Sequence, residues 1–374
     1  MKNFDARVVK TAAFGQWDAI IQRLAPEIPA AAFKKLGKHV ACPIHSGGTK
    51  GDGFKLFKKD FAETGGGMCN TCGTFHDGFK LLMWLKGWDF PTTVEEVAGE
   101  LGLKNSNDQR EQRAINRDRE AEIAAIRAQR LADEKAEDER IRGNLKRIWN
   151  ESVPLTDPIA EPARLYLASR KIRIWDRPGL ERAVRFHPSL NCYNEDQEFE
   201  GSFPTIVLLV CSEGRPATIH RHYLTPKGEK APVENSKKMC EVPSDRQVTG
   251  GAVFTSMAAE VADVCEGLET ALSIEMAMGI PVWPLVNATL LELFEPPKGV
   301  KAVRIWADKD VTETGIRAAN ALKARLWEKG IKCMVMIPSI SIPEGAKGVD
   351  WADVWMTMGL FGFPQRPKAE RVAS

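Results

Sequence analysis

Long apolar runs are missing from this chain. Nowhere in its 374 residues does an uninterrupted apolar stretch approach the roughly 18–20 residues of a membrane span. The opening MKNFDARVVK lacks the apolar centre of a signal peptide. The expectation is a cytoplasmic protein with no membrane partner. An excess of charge is missing too: 52 Lys and Arg face 50 Asp and Glu, a formal net charge of +2. A surface for a polyanion therefore has to be local. Cysteine is too sparse for a disulfide scaffold, with eight in the chain. Five of them (Cys192, Cys211, Cys240, Cys265 and Cys333) are scattered and are expected as reduced thiols in or near cores. No G-x-x-x-x-G-K followed by Ser or Thr occurs, and GGTKGDGFK lacks that spacing, which excludes a fused P-loop motor. There is no fixed-period repeat and no low-complexity tract.

What is present is an ordinary globular composition, 43% hydrophobic and 27% charged, over a length that suits two or three domains. Residues 1–35 are expected as helix, with Trp17, Ile20, Ile21 and Leu24 on one buried face. Residues 36–80, rich in Gly, Cys and Lys, suit short strands around a nucleus. Residues 81–103 return to helix, with Thr92 or Thr93 and Glu95 or Glu96 as a possible start. From 104 to 148 both charge signs alternate at helical spacing without a proline, the pattern of a solvated helical linker. Its sparse Ile115, Ile123, Ile126 and Leu131 form at most a weak docking stripe. A mixed α/β middle domain is expected over 149–257, with a hairpin turning between Ser212 and Arg215. From 258 to 374, strand and helix alternate in the rhythm of a mainly parallel, Rossmann-like sheet.

Two constellations carry chemistry. Cys42-Pro-Ile-His45 and Cys69-Asn-Thr-Cys72 are two pairs, each with two intervening residues, separated by 23 residues. Three thiolates and an imidazole complete a tetrahedral zinc shell with no open position, so the ion expected here is structural. His39 and His76 are nearby, but His45 has the paired spacing. Lys50, Phe54, Lys55, Phe57, Lys58 and Lys59 follow the first pair. Interleaved base and aromatic residues suit single-stranded nucleic acid by phosphate pairing and stacking, although the phenylalanines equally suit a small core.

The second constellation is acidic. Glu266 follows the strand Val261–Cys265, Asp308 and Asp310 follow the strand 303–307, and Asp350 and Asp353 follow the last strand. Functional groups of parallel sheets gather at carboxyl strand ends, and clustered carboxylates suit Mg2+ or Mn2+ at a phosphate substrate. Glu266, Asp308 and Asp310 are the catalytic candidates, with Asp350 and Asp353 as further metal ligands or mere helix caps. In the middle region Arg221, His222, Tyr223, Lys227, Lys230, Lys237 and Lys238 form a basic run that suits a template or nucleotide.

CEGLETALS followed about forty residues later by IWADKD resembles a Toprim domain, the fold shared by bacterial-type primases and some topoisomerases and nucleases. GVDWADVW is similar to that domain's acidic tail in plasmid and phage primases. Cys-Pro-x-His and Cys-x-x-Cys-Gly, with DGFKLF between, resemble the primase zinc ribbon, and RLYLASRKI, RFHPSL, HRHYL and GGAVF resemble the segment that precedes Toprim in such proteins. Lys309 and the long ADKDVTETG loop depart from the family pattern. The resemblance implies an α+β multidomain primase, a nucleotidyltransferase making RNA primers on single-stranded DNA in replication of a chromosome-borne or mobile element. Its partners would be template, nucleoside triphosphates and a separate replicative helicase. Rival readings are a Toprim nuclease and a non-catalytic single-strand-binding accessory protein.

Overall fold

A computed structural model describes residues 4–45, 53–103 and 109–364. The chain divides into two units between Asp133 and Glu134. In the first, the text expected as one helix is three: α1 (Ala6–Ala13), α2 (Trp17–Leu24) and α3 (Ala30–Lys34). Gly15, at a φ of +78°, separates the first two. Pro26 and Pro29 separate the others, since neither can donate a helical N–H. Then come β1 (Phe54–Leu56), α4 (Phe61–Thr64), β2 (Gly67–Cys69) and β3 (Gly73–Phe75), with α5 (Gly78–Lys86) and α6 (Phe90–Glu100) closing the unit. The strands form an antiparallel ribbon in the order β1-β2-β3, with Phe54 opposite Cys69 and Cys69 opposite Gly73. Helix α6 starts at Asp89, whose carboxylate accepts from the Thr92 N–H at 2.9 Å, and not at Thr92 or Thr93. Trp17, Ile20, Ile21, Phe54 and Phe79 are central to one core. Trp17 lies so close to Gly78 that a Cβ there would come within 2.2 Å of its ring.

Helix α7 (Gln109–Glu151) differs from a linker running to residue 148. From Asp138 onward it is part of the second unit's packing. Asp138 accepts from the Ser244 N–H at 2.7 Å and hydroxyl at 2.9 Å, and Arg140 pairs with Glu241 at 2.6 Å. Ile141 and Ile148 are buried. Leu131 is exposed, while Lys50 and the side chains of Ile115, Ile123 and Ile126 lie outside the described residues.

Helix α8 (Glu161–Ala168) precedes β4 (Val184–Tyr193), β5 (Phe199–Ser212), β6 (Arg215–Tyr223) and β7 (Lys237–Met239), an antiparallel sheet in chain order. The expected hairpin turns at Glu213 and Gly214, both at positive φ, as two-residue turns prefer. The second half runs β8 (Val261–Cys265), α9 (Leu268–Met278), β9 (Trp283–Pro284), α10 (Ala288–Glu292), β10 (Ala302–Trp306), β11 (Lys309–Asp310), α11 (Thr314–Glu328), β12 (Lys332–Met336), β13 (Gly348–Val349) and α12 (Trp351–Met358). Strands β12-β10-β8-β9 form the expected parallel sheet. A short antiparallel ribbon of β11 and β13 sets Asp310 opposite Gly348. The two sheets are not separate in their cores: Leu268 and Leu272 of α9 pack among Phe186, Ile206, Leu208 and Val253. Cys192, Cys240 and Cys265 are buried free thiols, and Cys211 and Cys333 are half-buried ones. Among the described residues no helix is long and apolar enough to cross a membrane.

Candidate metal centres and the acidic cavity

The antiparallel ribbon brings Cys69 to the end of β2 and Cys72 just ahead of β3, facing the turn that holds Cys42 and His45. One donor atom from each of Cys42, His45, Cys69 and Cys72 lies within 4.8 Å of the others, and His45 Nε2 is 3.3 Å from Cys69 Sγ. Burial works against the Cys69 thiolate, but the backbone N–H groups of Cys72 and Thr71 and the His45 ring outweigh it and lower its pKa. Burial and the neighbouring thiols push Cys72 up. Three sulfurs and a ring nitrogen at this separation fit zinc, whose bonds to sulfur are about 2.3 Å. Beside the cluster, Lys58 and Lys59 are exposed and Lys55 is half-buried. Phe54 is core, stacked with Trp84 at 6.0 Å. Phe57 is half-buried and lies against Gly66.

At the carboxyl ends of β8 and β10 the chain builds a cavity of about 300 Å³ whose walls include Glu266, Asp308, Asp310, Asp350 and Asp353. All five sequence candidates meet there, by different routes. Asp308 is half-buried, but its Oδ1 is shielded from solvent and has no hydrogen-bond partner. Burial, then the charges of Glu266, Asp350, Asp310 and Asp353, push its pKa up to about 8. Glu266 is raised as well, by burial and by Asp310 and Asp350. Asp310 is the exception: burial opposes its charge, yet it is held below the usual range by donors at the start of α11. Its Oδ1 accepts from the Thr312 and Thr314 N–H groups at 2.9 and 3.0 Å, and its Oδ2 from Gly315 N–H at 2.9 Å. Asp350 and Asp353 form a reciprocal capping box at α12, so the cap reading holds for both even as they line the cavity.

An orphaned, buried carboxylate oxygen among like charges is a poor arrangement unless a cation joins it. The all-oxygen donor set fits magnesium or manganese. Such carboxylates suit an ion that keeps several of its waters. Gly315 is packed so tightly that a Cβ would meet the Asp308 carbonyl oxygen at 2.6 Å and Glu266 Oε1 at 3.2 Å. Lys347 lines the cavity and was not expected there. The side chain of Lys309 donates to the Ile340 carbonyl at 2.9 Å.

The basic run separates into distinct surroundings. Tyr223 is a correction: it is 1% exposed and donates to the Asn191 carbonyl at 2.9 Å, so it is a core residue and no nucleic-acid contact. His222 is buried. Lys238 is held by Glu200 at 2.8 Å, and Arg221 is half-buried beneath β7 with a bond to the Met239 carbonyl at 3.3 Å. Lys230 and Lys237 line a second cavity of about 510 Å³, together with Tyr166, Arg170 and Glu269, and it shares Asp350 and Asp353 with the first. Tyr166, Arg170 and Glu269 escaped the sequence reading. Their signals there were only their places within quoted segments, Tyr166 and Arg170 in RLYLASRKI and Glu269 in CEGLETALS, three residues after Glu266.

Comparison with known proteins gives three domain matches. Residues 37–79 match the zinc-binding domain of primase-helicase, 139–250 a domain of unknown function (DUF7146), and 261–360 the Toprim domain. No curated protein matches the chain. Among solved structures it is similar to the Aquifex aeolicus primase (zinc binding and RNA polymerase domains), at 16% identity over 91% of this chain and 83% of that one, with a TM-score of 0.40. The Escherichia coli primase catalytic core is similar at 14% identity over 60% and 77%, TM-score 0.39. So is the RNA polymerase domain of Mycobacterium tuberculosis primase DnaG, at 15% over 60% and 80%, TM-score 0.35. The chain carries, in order, a primase-type zinc ribbon, a mixed α/β middle region and a Toprim domain with a parallel sheet.

Proposed function

We propose that the chain is a DNA primase, a nucleotidyltransferase with DNA-directed RNA polymerase activity that joins ribonucleotides on single-stranded DNA. The observation that carries this reading is Asp308: a half-buried carboxylate with one solvent-shielded, unpartnered oxygen, sharing one cavity with four other acids, on a chain that also matches a primase-type zinc ribbon. Glu266, Asp308 and Asp310, with Asp350 and Asp353 lining the same cavity, would hold magnesium or manganese, which when bound would supply positive charge to offset that of the departing pyrophosphate. Glu266, raised by burial, is suited to take the proton of the attacking 3′-hydroxyl. Asp310 fixes the loop and the start of α11, so that Asp308 keeps its aim. Cys42, His45, Cys69 and Cys72 close the ribbon around zinc, and Lys55, Lys58 and Lys59 beside it meet template phosphates. Arg221, Lys230, Lys237 and Lys238 serve template or nucleotide from the middle sheet. The working division is 1–103, a linker from 104 to about 137 that is helical from Gln109 onward, a middle domain to 257 and a catalytic domain over 258–374. A separate replicative helicase is the expected partner.

The test is a purified chain given single-stranded DNA, labelled ribonucleotides and magnesium. Short RNA products are expected. Asp308→Ala is expected to lower their formation at least about 100-fold, the usual loss when a charge-stabilising group is removed, while DNA binding persists. Cleavage of the DNA would point instead to a Toprim nuclease. Binding with neither product would point to an accessory protein.

A further inference from the structure

Glu269 takes no part in the chemistry above, yet it is held with unusual care. It sits in the first turn of α9, one turn beyond Glu266, and is 7% exposed. Its oxygens point toward the middle sheet and not into the acidic cavity. The Tyr166 hydroxyl donates to Oε1. Lys237 Nζ lies 2.8 Å from Oε1 and 3.0 Å from Oε2. His222 Nδ1 is 3.7 Å away, beyond hydrogen-bond reach. Burial opposes the charge on Glu269, and Lys237, with the Tyr166 hydroxyl, outweighs it and keeps the carboxylate ionised. Burial leaves both His220 and His222 neutral, so Lys237 is the cation that balances it.

The consequence falls on Lys237. A lysine on a short strand at the end of a sheet is ordinarily a mobile chain with a solvated head. Here both oxygens of a buried carboxylate clamp the head. An ammonium has three donors, and two are used. The third remains, on a side chain 36% exposed at the wall of the second cavity, with Arg170 and Lys230 alongside and Asp350 and Asp353 leading to the acidic cavity. The nucleotidyl-transfer reading places the α-phosphate at the acids, and the rest of the triphosphate then has this cationic cavity as its neighbour.

We propose, on the basis of that reading, that Glu269 is a positioning residue. With Tyr166 it fixes the Lys237 ammonium so that its remaining N–H meets a phosphate oxygen of the incoming nucleoside triphosphate. Glu269 is not among the acids that line the acidic cavity. The proposal opposes simple electrostatics. An acid near a phosphate site weakens anion binding, so removing its charge should strengthen binding. Positioning predicts the reverse.

The experiment measures tripolyphosphate binding to the full chain by calorimetry with magnesium present, alongside the nucleotide KM and kcat of primer synthesis. Glu269→Gln is expected to weaken tripolyphosphate about tenfold, the scale of one charge-assisted hydrogen bond. It should raise KM with kcat little changed, and Lys237→Met should match it. Tyr166→Phe, which removes one hydroxyl and leaves Lys237 in place, should weaken binding a few-fold, and it decides the matter if Glu269→Gln does not fold. Unchanged or tighter binding in the folded variants overturns the proposal, as does a wild-type chain that ignores tripolyphosphate. A wild type that binds tripolyphosphate but makes no primer refutes the primase reading and leaves the positioning role standing.

Discussion

Single residues decide whether each centre can form. Cys69 lies between a ring nitrogen and two other sulfurs, so Cys69→Ala removes a quarter of the shell of a metal whose binding contributes directly to the folding of such small ribbons. Zinc content is expected to fall from about one ion per chain to a small fraction. Circular dichroism of the first unit should change while the second unit unfolds normally. Retention of a full ion would refute the ligand assignment. Gly315 matters by what it lacks. Its missing Cβ leaves room for the Asp308 carbonyl 2.6 Å from where that atom would stand, in backbone that cannot give way cheaply. Gly315→Ala is expected to cost about 1–3 kcal/mol of stability and most primer synthesis. Thermal melts and product gels on one preparation would check both, and an unperturbed, fully active variant would show the packing to be slack.

Elements carry the pH response and the proteolytic pattern. His220 and His222 stand two residues apart on β6, with ring nitrogens 3.1 Å from each other, and both are buried. Burial, then Lys237, lowers His220 to about 4. Its unfolded value is near 6.5, so the unfolded chain binds a proton between these values and the folded chain does not. Stability is therefore full above pH 6.5 and declines as pH falls toward 4, by about 3 kcal/mol for His220 alone. Urea unfolding of the second unit at pH 7 and pH 5 should show the loss, and His220→Gln should flatten it; an equal slope in that variant rejects the assignment. In α7, trypsin should cut at or before Lys135, which is exposed, and spare Arg140 and Arg142, which are tied to Glu241 and Asp245. Much of this was legible in the sequence. The zinc pairs, the alternation of β8 to β12 and the acids at strand ends follow from spacing and period. The packed half of α7 was legible in principle, since Ile141, Leu145 and Ile148 repeat at helical spacing, but the surrounding charge masks them. Tyr223 lay beyond such reading, because a strand's period does not tell which face the next strand will cover. Glu269 lay beyond it too, because its partners Tyr166 and Lys237 come from distant elements.

At the scale of the whole molecule, the matches to a middle domain and a Toprim domain meet between residues 250 and 261, yet the cores do not part there. Leu268 and Leu272 from one side complete the apolar cluster of the other, and Tyr166 reaches Glu269 across the same seam. A joint that looks like a boundary in the sequence is thus the inside of a single folding unit. For gene shuffling, natural or engineered, the viable breakpoint lies in α7 along its exposed residues 131–137. Ribbons can be exchanged between relatives there, whereas a crossover near residue 255 would inherit two halves of an interior that never matured together.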